Sequence, residues 1–362
     1  MPFINDRLAE QQAQMATQAA RQGPSSPDYR VEDRRGCRFV FDPDAVMATL
    51  RSRIVGQDTV LDALDDMLNI VKADIVDSDR PLAVSLLLGP TGTGKTETVR
   101  LIAEAIHGSK DAACRIDMNT LSQSHYAASL TGAPPGYVGS KESQTLLDES
   151  LIKGSFSKPG IVLFDELEKG SDEVIRALMN VLERGRLHLA SGNRQLDFRN
   201  SLIFMTSNIG AKQMQDASHS ARGWKRALAA LRTLGDDQTP QDKALDTALH
   251  QRFDPEFLNR IDRILTYRRL GESELPALLD IELDKLQSRL QKRGLTLKLD
   301  DASRRFLLQS HDPRFGARNL ARRLRQTLEP SLARALLAAP RSHTFSVTLI
   351  DGTLAVRPSQ QA

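Results

Sequence analysis

The sequence predicts an α/β protein in which a parallel sheet between helices is followed by a small C-terminal α+β domain. Short, almost continuous apolar runs at residues 82–89, 160–166 and 201–208, with a weaker one at 114–118, are typical of buried strands. Helical stretches separate these runs, as in a parallel sheet that is covered on both faces. Beyond residue 270 amphipathic helices and short alternating strands replace this pattern, which indicates a second and smaller domain.

The other elements are expected in the following order. In the first domain, an acidic cap and a proline at Asp42-Pro43 open a helix that runs to residue 50, and further helices are expected at 96–106 and 172–183. In the second domain, we expect a helix at 272–293, a strand at 295–300, helices from 302 and at 317–338, and a hairpin around Asp351-Gly352.

The chain is expected to have three regions. Residues 1–38 are expected to form a polar N-terminal tail or linker, because a breaker cluster, GPSSPDYR, follows a segment rich in Gln and Ala. Residues 39–268 then form the large domain and residues 269–358 the small one. Residues 211–250 are polar and are expected to be an excursion from the large domain.

The composition excludes several classes of protein. With 40% hydrophobic and 26% charged residues among 362, the chain is neither collagen-like, mucin-like nor wholly disordered. The two cysteines, Cys37 and Cys114, are too few for a disulfide framework or a four-cysteine zinc site, and they fit the reducing cytoplasm. No apolar run approaches the roughly 20 residues of a membrane span, and no secretory signal begins the sequence. The net charge of +3 does not by itself indicate nucleic acid.

Residues 89–96, GPTGTGKT, form a complete phosphate-binding loop (Walker A) between a predicted strand and a predicted helix. Its glycines let backbone N–H groups approach phosphates, Lys95 adds a positive charge, and the Thr96 hydroxyl can bind Mg²⁺. A chance match has odds of about one in a hundred in a chain of this length. The predicted nucleotide site therefore includes Gly89, Pro90, Thr91, Gly92, Thr93, Gly94, Lys95 and Thr96.

Polar side chains also end the next two predicted strands. Asp165 would hold Mg²⁺, directly or through water, and Glu166 would polarise the attacking water. Taken alone, this pair could equally cap a helix, but the phosphate loop favours the catalytic interpretation. Asn208 follows the third strand and could help to orient the water, although a turn-forming asparagine remains the alternative.

Several longer stretches identify a family. They are RIVGQD (53–58), LLLGPTGTGKTE (86–97), TGAPPGYVGS (131–140), VLFDELEK (162–169), DFRNSLIFMTSN (197–208), FLNRID (257–262) and DPRFGARNL (312–320). Over residues 54 to 340 the chain resembles the Clp (Hsp100) branch of the AAA+ ATPases, and it is most similar to the second ATPase domain of ClpB-type disaggregases.

The resemblance implies roles for individual residues. Ile54 and Val55 would pack on adenine, and Asn208 would be the sensor-1 residue. Arg260 would be the arginine finger that reaches a neighbouring subunit, and Arg318 the sensor-2 arginine. Without the family, both arginines would read as solvated surface residues. Tyr137 and Val138 match a pore loop that grips substrate, although Tyr137 could instead pack inward at a Pro-Pro-Gly turn.

The implied function is ATP-dependent protein remodelling. A ring, expected to be a homohexamer, would use ATP and Mg²⁺ to thread polypeptide through its pore in the cytoplasm. The alternatives are a dedicated assembly or disassembly ATPase for one protein partner and, less favoured, a DNA-acting motor. The Ile-Gly-Leu/Phe tripeptide that docks unfoldases to a ClpP-type peptidase is absent from residues 211–250, so the sequence does not favour that partner. Nucleic acid and membrane are not expected as partners.

Overall fold

A computed structural model describes residues 37–122, 147–188, 195–210, 240–309 and 316–359. Within these ranges no helix combines the length and the apolar character that crossing a bilayer requires. The predicted fold class, a parallel sheet between helices followed by a small α+β domain, is confirmed.

The large domain is built on a five-stranded parallel sheet with the strand order β2-β3-β6-β1-β7. Its strands are β1 (Ala83–Leu88), β2 (Cys114–Asp117), β3 (Gly160–Asp165), β6 (Ser201–Ser207) and β7 (Arg263–Thr266), while β4 (Arg186–His188) and β5 (Gln195–Asp197) form a separate two-stranded ribbon. Strands β1, β3 and β6 are buried along their whole length, as their apolar sequences predict. The residues that follow these three strands meet at the C-terminal end of the sheet, because parallel strands point the same way.

Helices cover both faces of this sheet and enclose two apolar cores. They are α1 (Pro43–Arg53), α2 (Asp58–Lys72), α3 (Lys95–His107), α4 (Glu149–Lys153), α5 (Asp172–Arg184), α6 (Pro240–His250) and α7 (Pro255–Leu258). Helix α1 begins as the sequence predicts, because the Asp42 side chain accepts a hydrogen bond from the N–H of Asp44 at 3.1 Å. Strand β7 was not predicted, because only Ile264 and Leu265 interrupt its polar sequence and it lies at an edge.

The small domain packs helices against a three-stranded sheet, and a third apolar core lies between them. Its elements are α8 (Leu275–Gln291), β8 (Thr296–Leu299), α9 (Asp301–Gln309), α10 (Gly316–Arg323), α11 (Glu329–Ala338), β9 (Thr344–Ile350) and β10 (Thr353–Pro358). The predicted hairpin joins β9 to β10, and both Asp351 and Gly352 have the positive φ of such a turn. The single helix predicted at 317–338 is instead divided, because a π-helical turn, Leu324–Leu328, separates α10 from α11.

Candidate nucleotide-binding site

The phosphate loop joins β1 to α3, and its backbone depends on glycine. Gly92 and Gly94 have φ of 79° and 107°, in the left-handed region that larger residues avoid. At Gly89 a Cβ atom would lie 2.4 Å from the carbonyl oxygen of Tyr267, so a side chain does not fit there. The loop turns tightly into α3, and the first turn of that helix lines a cavity. This arrangement presents backbone N–H groups to an anion.

Lys95, at the start of α3, is buried inside the curve of this loop. Its Nζ donates to the carbonyl oxygens of Gly89 at 2.5 Å and Pro90 at 2.9 Å, and to Oδ1 of Asn208 at 3.0 Å. Burial lowers the pKa of Lys95 to about 8, although nearby carboxylates, Glu168 foremost, act in the opposite direction. The ammonium group is therefore poorly compensated, which favours a phosphate beside it.

Asp165, at the end of β3, has hydrogen-bond donors on both carboxylate oxygens. Oδ1 accepts from the hydroxyls of Thr206 at 2.5 Å and Thr96 at 3.2 Å. Oδ2 accepts from Nε and Nη2 of Arg115 at 3.1 and 2.6 Å. The carboxylate is thus fixed next to the hydroxyl that ends the phosphate loop.

Thr96 and Asp165 supply the oxygen donors that Mg²⁺ prefers, and both line the cavity. Across the described residues, no group of three or more His, Cys, Asp and Glu side chains could hold a metal ion by itself. Phosphate and water oxygens would therefore have to complete the octahedral shell of Mg²⁺. The residues present fit a metal ion that arrives together with a nucleotide.

Glu166 follows Asp165 and has a strained backbone. Its φ of 60° lies in the left-handed region, which costs a non-glycine residue about 1–2 kcal/mol. Two bonds hold it there: its N–H donates to the Thr206 hydroxyl at 3.0 Å, and its Oε2 accepts from Nδ2 of Asn119 at 2.6 Å. The strain and these bonds direct the carboxylate into the cavity, where a general base would be needed.

The turn after β3 is held to a distant part of the chain by Arg252, which follows α6. Its guanidinium donates to the carbonyl oxygens of Glu168 at 3.0 Å and Gly170 at 2.5 Å, and to Oδ1 of Asp172 at 2.9 Å. Within the same turn, Oε1 of Glu168 accepts from the N–H of Asn208 at 3.3 Å. These contacts fix the positions of Glu166 and Asn208 relative to each other.

The cavity has a volume of about 540 Å³ and is lined by both domains, a size typical of small-ligand sites. Apolar side chains of Leu270, Leu278 and Ile281 line it from the small domain. The Ala317 N–H donates to the carbonyl oxygen of Gly92 at 3.1 Å, so the small domain touches the phosphate loop directly. The predicted site residues that line the cavity are Ile54, Val55, Thr91, Gly92, Thr93, Gly94, Lys95, Thr96, Asp165, Glu166, Asn208 and Arg318.

Comparison with known proteins assigns the two domains to families. Residues 80–264 match the family model described as AAA domain (Cdc48 subfamily), and residues 270–347 match the C-terminal, D2-small domain of ClpB protein. A curated protein of Pseudomonas aeruginosa, the ATP-dependent protease ATP-binding subunit-like protein AmiB, is 43% identical over 349 residues, which is 93% of each chain.

The chain is a Clp-type AAA+ ATPase.

Two further relatives of this ATPase are longer than this chain. The chaperone protein ClpB of Meiothermus ruber is 37% identical over 80% of this chain, but the match covers only 32% of ClpB. A solved structure of Hsp104, in a closed state with ATPγS and FITC casein, superposes with a TM-score of 0.73 and 25% identity, over 87% of this chain and 52% of that one. The family predicted from sequence is confirmed, and with it ATP hydrolysis as the activity.

Arg260 of the ATPase is not among the residues that line the cavity. Its guanidinium forms ion pairs with Glu256 at 2.9 Å and Glu183 at 3.1 Å, and it donates to the Glu256 carbonyl at 2.8 Å. Both carboxylates are partly exposed, and the Arg260 side chain is 18% exposed. A role at the protomer's own phosphate site has no support in this geometry, whereas a role toward a neighbour stays a prediction.

The predicted pore-loop residues, Tyr137 and Val138, lie outside the described residues, and their role also stays a prediction. Asn119, Thr206, Arg115 and Arg252 are site residues that the sequence reasoning missed. The sequence could have indicated Asn119, because this residue follows β2, the strand beside β3, and therefore lies at the same C-terminal end of the sheet. No comparable signal marks Arg252, which reaches the site from a loop.

Proposed function

We propose that this ATPase is a ring-forming protein remodeller that couples ATP hydrolysis to threading of polypeptide through a central pore. The observation that carries the proposal is a single cavity in which the phosphate loop, the two carboxylates after β3 and Arg318 of the small domain come together. A nucleotide bound there would contact both domains, so its hydrolysis could change how they are arranged. Such a change can do mechanical work on a bound chain.

Within the cavity each side chain has a distinct part. Lys95 would neutralise charge on the terminal phosphates, and Glu166, held by Asn119, would take the proton of the attacking water. Asn208, bonded to Lys95, would orient that water, and Ile54 and Val55 would pack on the base. A Mg²⁺ ion held by Thr96 and Asp165 would stabilise negative charge on the phosphate oxygens.

Arg260 would complete the site of a neighbouring subunit, which makes hydrolysis depend on ring assembly. Arg260 does not line the cavity of its own protomer, which supports this role, and a homohexamer is the expected ring. Tyr137 and Val138 would grip the chain in the pore. The chaperone name of the ClpB relative, and the casein in the Hsp104 structure, support a polypeptide substrate. We place this activity in the cytoplasm.

A substrate trap tests the proposal. Glu166→Gln should bind ATP, lose turnover and hold its polypeptide client in an ATP-dependent complex, which mass spectrometry can identify. Glu173→Gln is the matched control, because Glu173 lies exposed in the first turn of α5, outside the cavity. One client in the trap would favour a dedicated factor, and many would favour a broad remodeller. A Glu166→Gln protein that retains ATP but no polypeptide would refute remodelling.

A further inference from the structure

The catalytic scheme gives no part to Arg115, although this arginine lines the cavity. It lies in β2, and its side chain is 54% exposed. The guanidinium bends to the neighbouring strand β3 and places two donors, Nε and Nη2, on the same oxygen of Asp165. The Asp165 side chain is only 9% exposed, so this contact joins an accessible cation to a nearly buried anion.

This ion pair occupies the carboxylate that is expected to face Mg²⁺. Oδ1 of Asp165 already accepts two hydroxyl hydrogen bonds, from Thr206 and Thr96, and Oδ2 accepts two from Arg115 and a longer one, at 3.5 Å, from the Thr96 hydroxyl. A metal ion that acts on Asp165 must therefore share the carboxylate with a guanidinium. Two cations on one carboxylate repel each other, and the more exposed Arg115 side chain has room to move.

We propose that Arg115 is the resident counter-cation of Asp165: it neutralises this carboxylate when no metal is bound and yields it to Mg²⁺ when the metal arrives with nucleotide. This inference rests on the proposed role of Asp165 as the residue that holds Mg²⁺. Arg115 is then a positioning residue. Because Arg115 neutralises Asp165, the phosphates of metal-free ATP do not meet an uncompensated carboxylate, and metal-free ATP can enter the site.

Removal of the guanidinium should have opposite effects on nucleotide and metal. In Arg115→Gln the bare Asp165 carboxylate repels metal-free ATP, so its Kd in EDTA should rise about tenfold. The same bare carboxylate attracts Mg²⁺ more strongly, so the Mg²⁺ concentration for half-saturation of the ATP complex should fall by a similar factor. Around the thermodynamic cycle the two changes nearly cancel, and the Kd for Mg-ATP should change less than about threefold.

The experiment measures the Kd of ATP by calorimetry in excess EDTA and in saturating Mg²⁺. It also measures the Mg²⁺ midpoint at a fixed ATP concentration. Arg100→Gln is the matched control, since Arg100 also lines the cavity but pairs with Glu97 and Asp111 instead of Asp165. It removes the same charge from the same cavity. Arg115→Lys keeps the charge and loses the two-donor geometry, and thermal melting checks that each variant is folded.

The decisive quantity is the Kd of ATP in EDTA divided by its Kd in saturating Mg²⁺. A ratio that rises about tenfold in Arg115→Gln, stays unchanged in Arg100→Gln and lies between them in Arg115→Lys supports the proposal. If Arg115→Gln weakens ATP equally in both media, as Arg100→Gln should, Arg115 is only a general attractor of phosphate and the proposal is wrong. If the wild-type protein binds no ATP in either medium, the assignment of the nucleotide site is wrong, and so is the proposed function.

Discussion

The buried ammonium group of Lys95 predicts a pH dependence of nucleotide affinity. Its side chain lies within 3.0 Å of three oxygen acceptors, and burial lowers its pKa to about 8. Only the charged form attracts phosphate, so affinity is full below this pKa and is lost as the pH rises through it. With a pKa of about 8, the protonated fraction falls from about three quarters at pH 7.5 to about one tenth at pH 9. The Kd of ATP should therefore rise about eightfold over this interval.

Calorimetric titration of ATP at several pH values tests this reasoning. The phosphates of bound ATP favour the charged lysine, so binding near pH 9 should also take up a proton, which appears as a dependence of the measured enthalpy on the buffer. Lys95→Arg is the control, because a guanidinium stays charged throughout this range, and its Kd should be flat with pH even if it is weaker. An equally flat profile for wild-type protein would refute the assignment of a lowered pKa to Lys95.

Three further predictions concern assembly, grip and the domain contact. Arg260→Ala and Glu166→Gln should each lack ATPase activity alone, and mixing them should restore part of it; isolated Arg260→Ala with normal turnover would contradict a role in trans. Tyr137→Ala should lose unfolding of a model substrate while ATPase stays within a few-fold, and Tyr137→Phe should retain unfolding; a parallel fall in melting temperature and ATPase would instead indicate a buried turn residue. Gly316→Ala would place a Cβ 2.5 Å from a carbonyl oxygen of the phosphate loop, so ATP affinity should fall roughly tenfold or more. Gly352→Ala, which has a similar positive φ and open space, should leave ATP affinity unchanged.

The sequence was sufficient to predict those parts of the fold and of the site that depend on a local pattern of residues. The apolar runs of β1, β3 and β6 predicted buried parallel strands, and the predicted site residues that follow these strands, Lys95, Asp165 and Asn208, all line one cavity. The glycines of the phosphate loop were predicted to let backbone N–H groups approach phosphates, and the structure adds that Gly92 and Gly94 have a positive φ, which larger residues avoid.

The sequence was insufficient to predict contacts between distant segments of the chain when the side chains involved belong to no recognisable motif. Arg252 binds the turn after β3 across 84 residues of chain, and nothing in its neighbourhood distinguishes it from a surface arginine. The pairing of Arg115 with Asp165 depends on the register of β2 beside β3, which apolar pattern alone does not fix. The left-handed backbone of Glu166 likewise depends on tertiary bonds to Asn119 and Thr206, which override local preference.

The packing of Gly89 against Tyr267 has a mechanical consequence. Tyr267 donates its N–H to the carbonyl oxygen of Leu88 at 2.7 Å, and both backbone groups of Arg268 are bonded to the side chain of Gln57. The chain that leaves the sheet is therefore clamped up to residue 268, and the family match of the small domain begins at residue 270. Any rotation between the domains has to be absorbed by a pivot only a few residues long, adjoining the nucleotide cavity. The small domain would then rotate as a rigid body about a hinge beside the phosphates. A small displacement at the hinge would produce a much larger displacement at the hairpin of β9 and β10, which lies further along the domain.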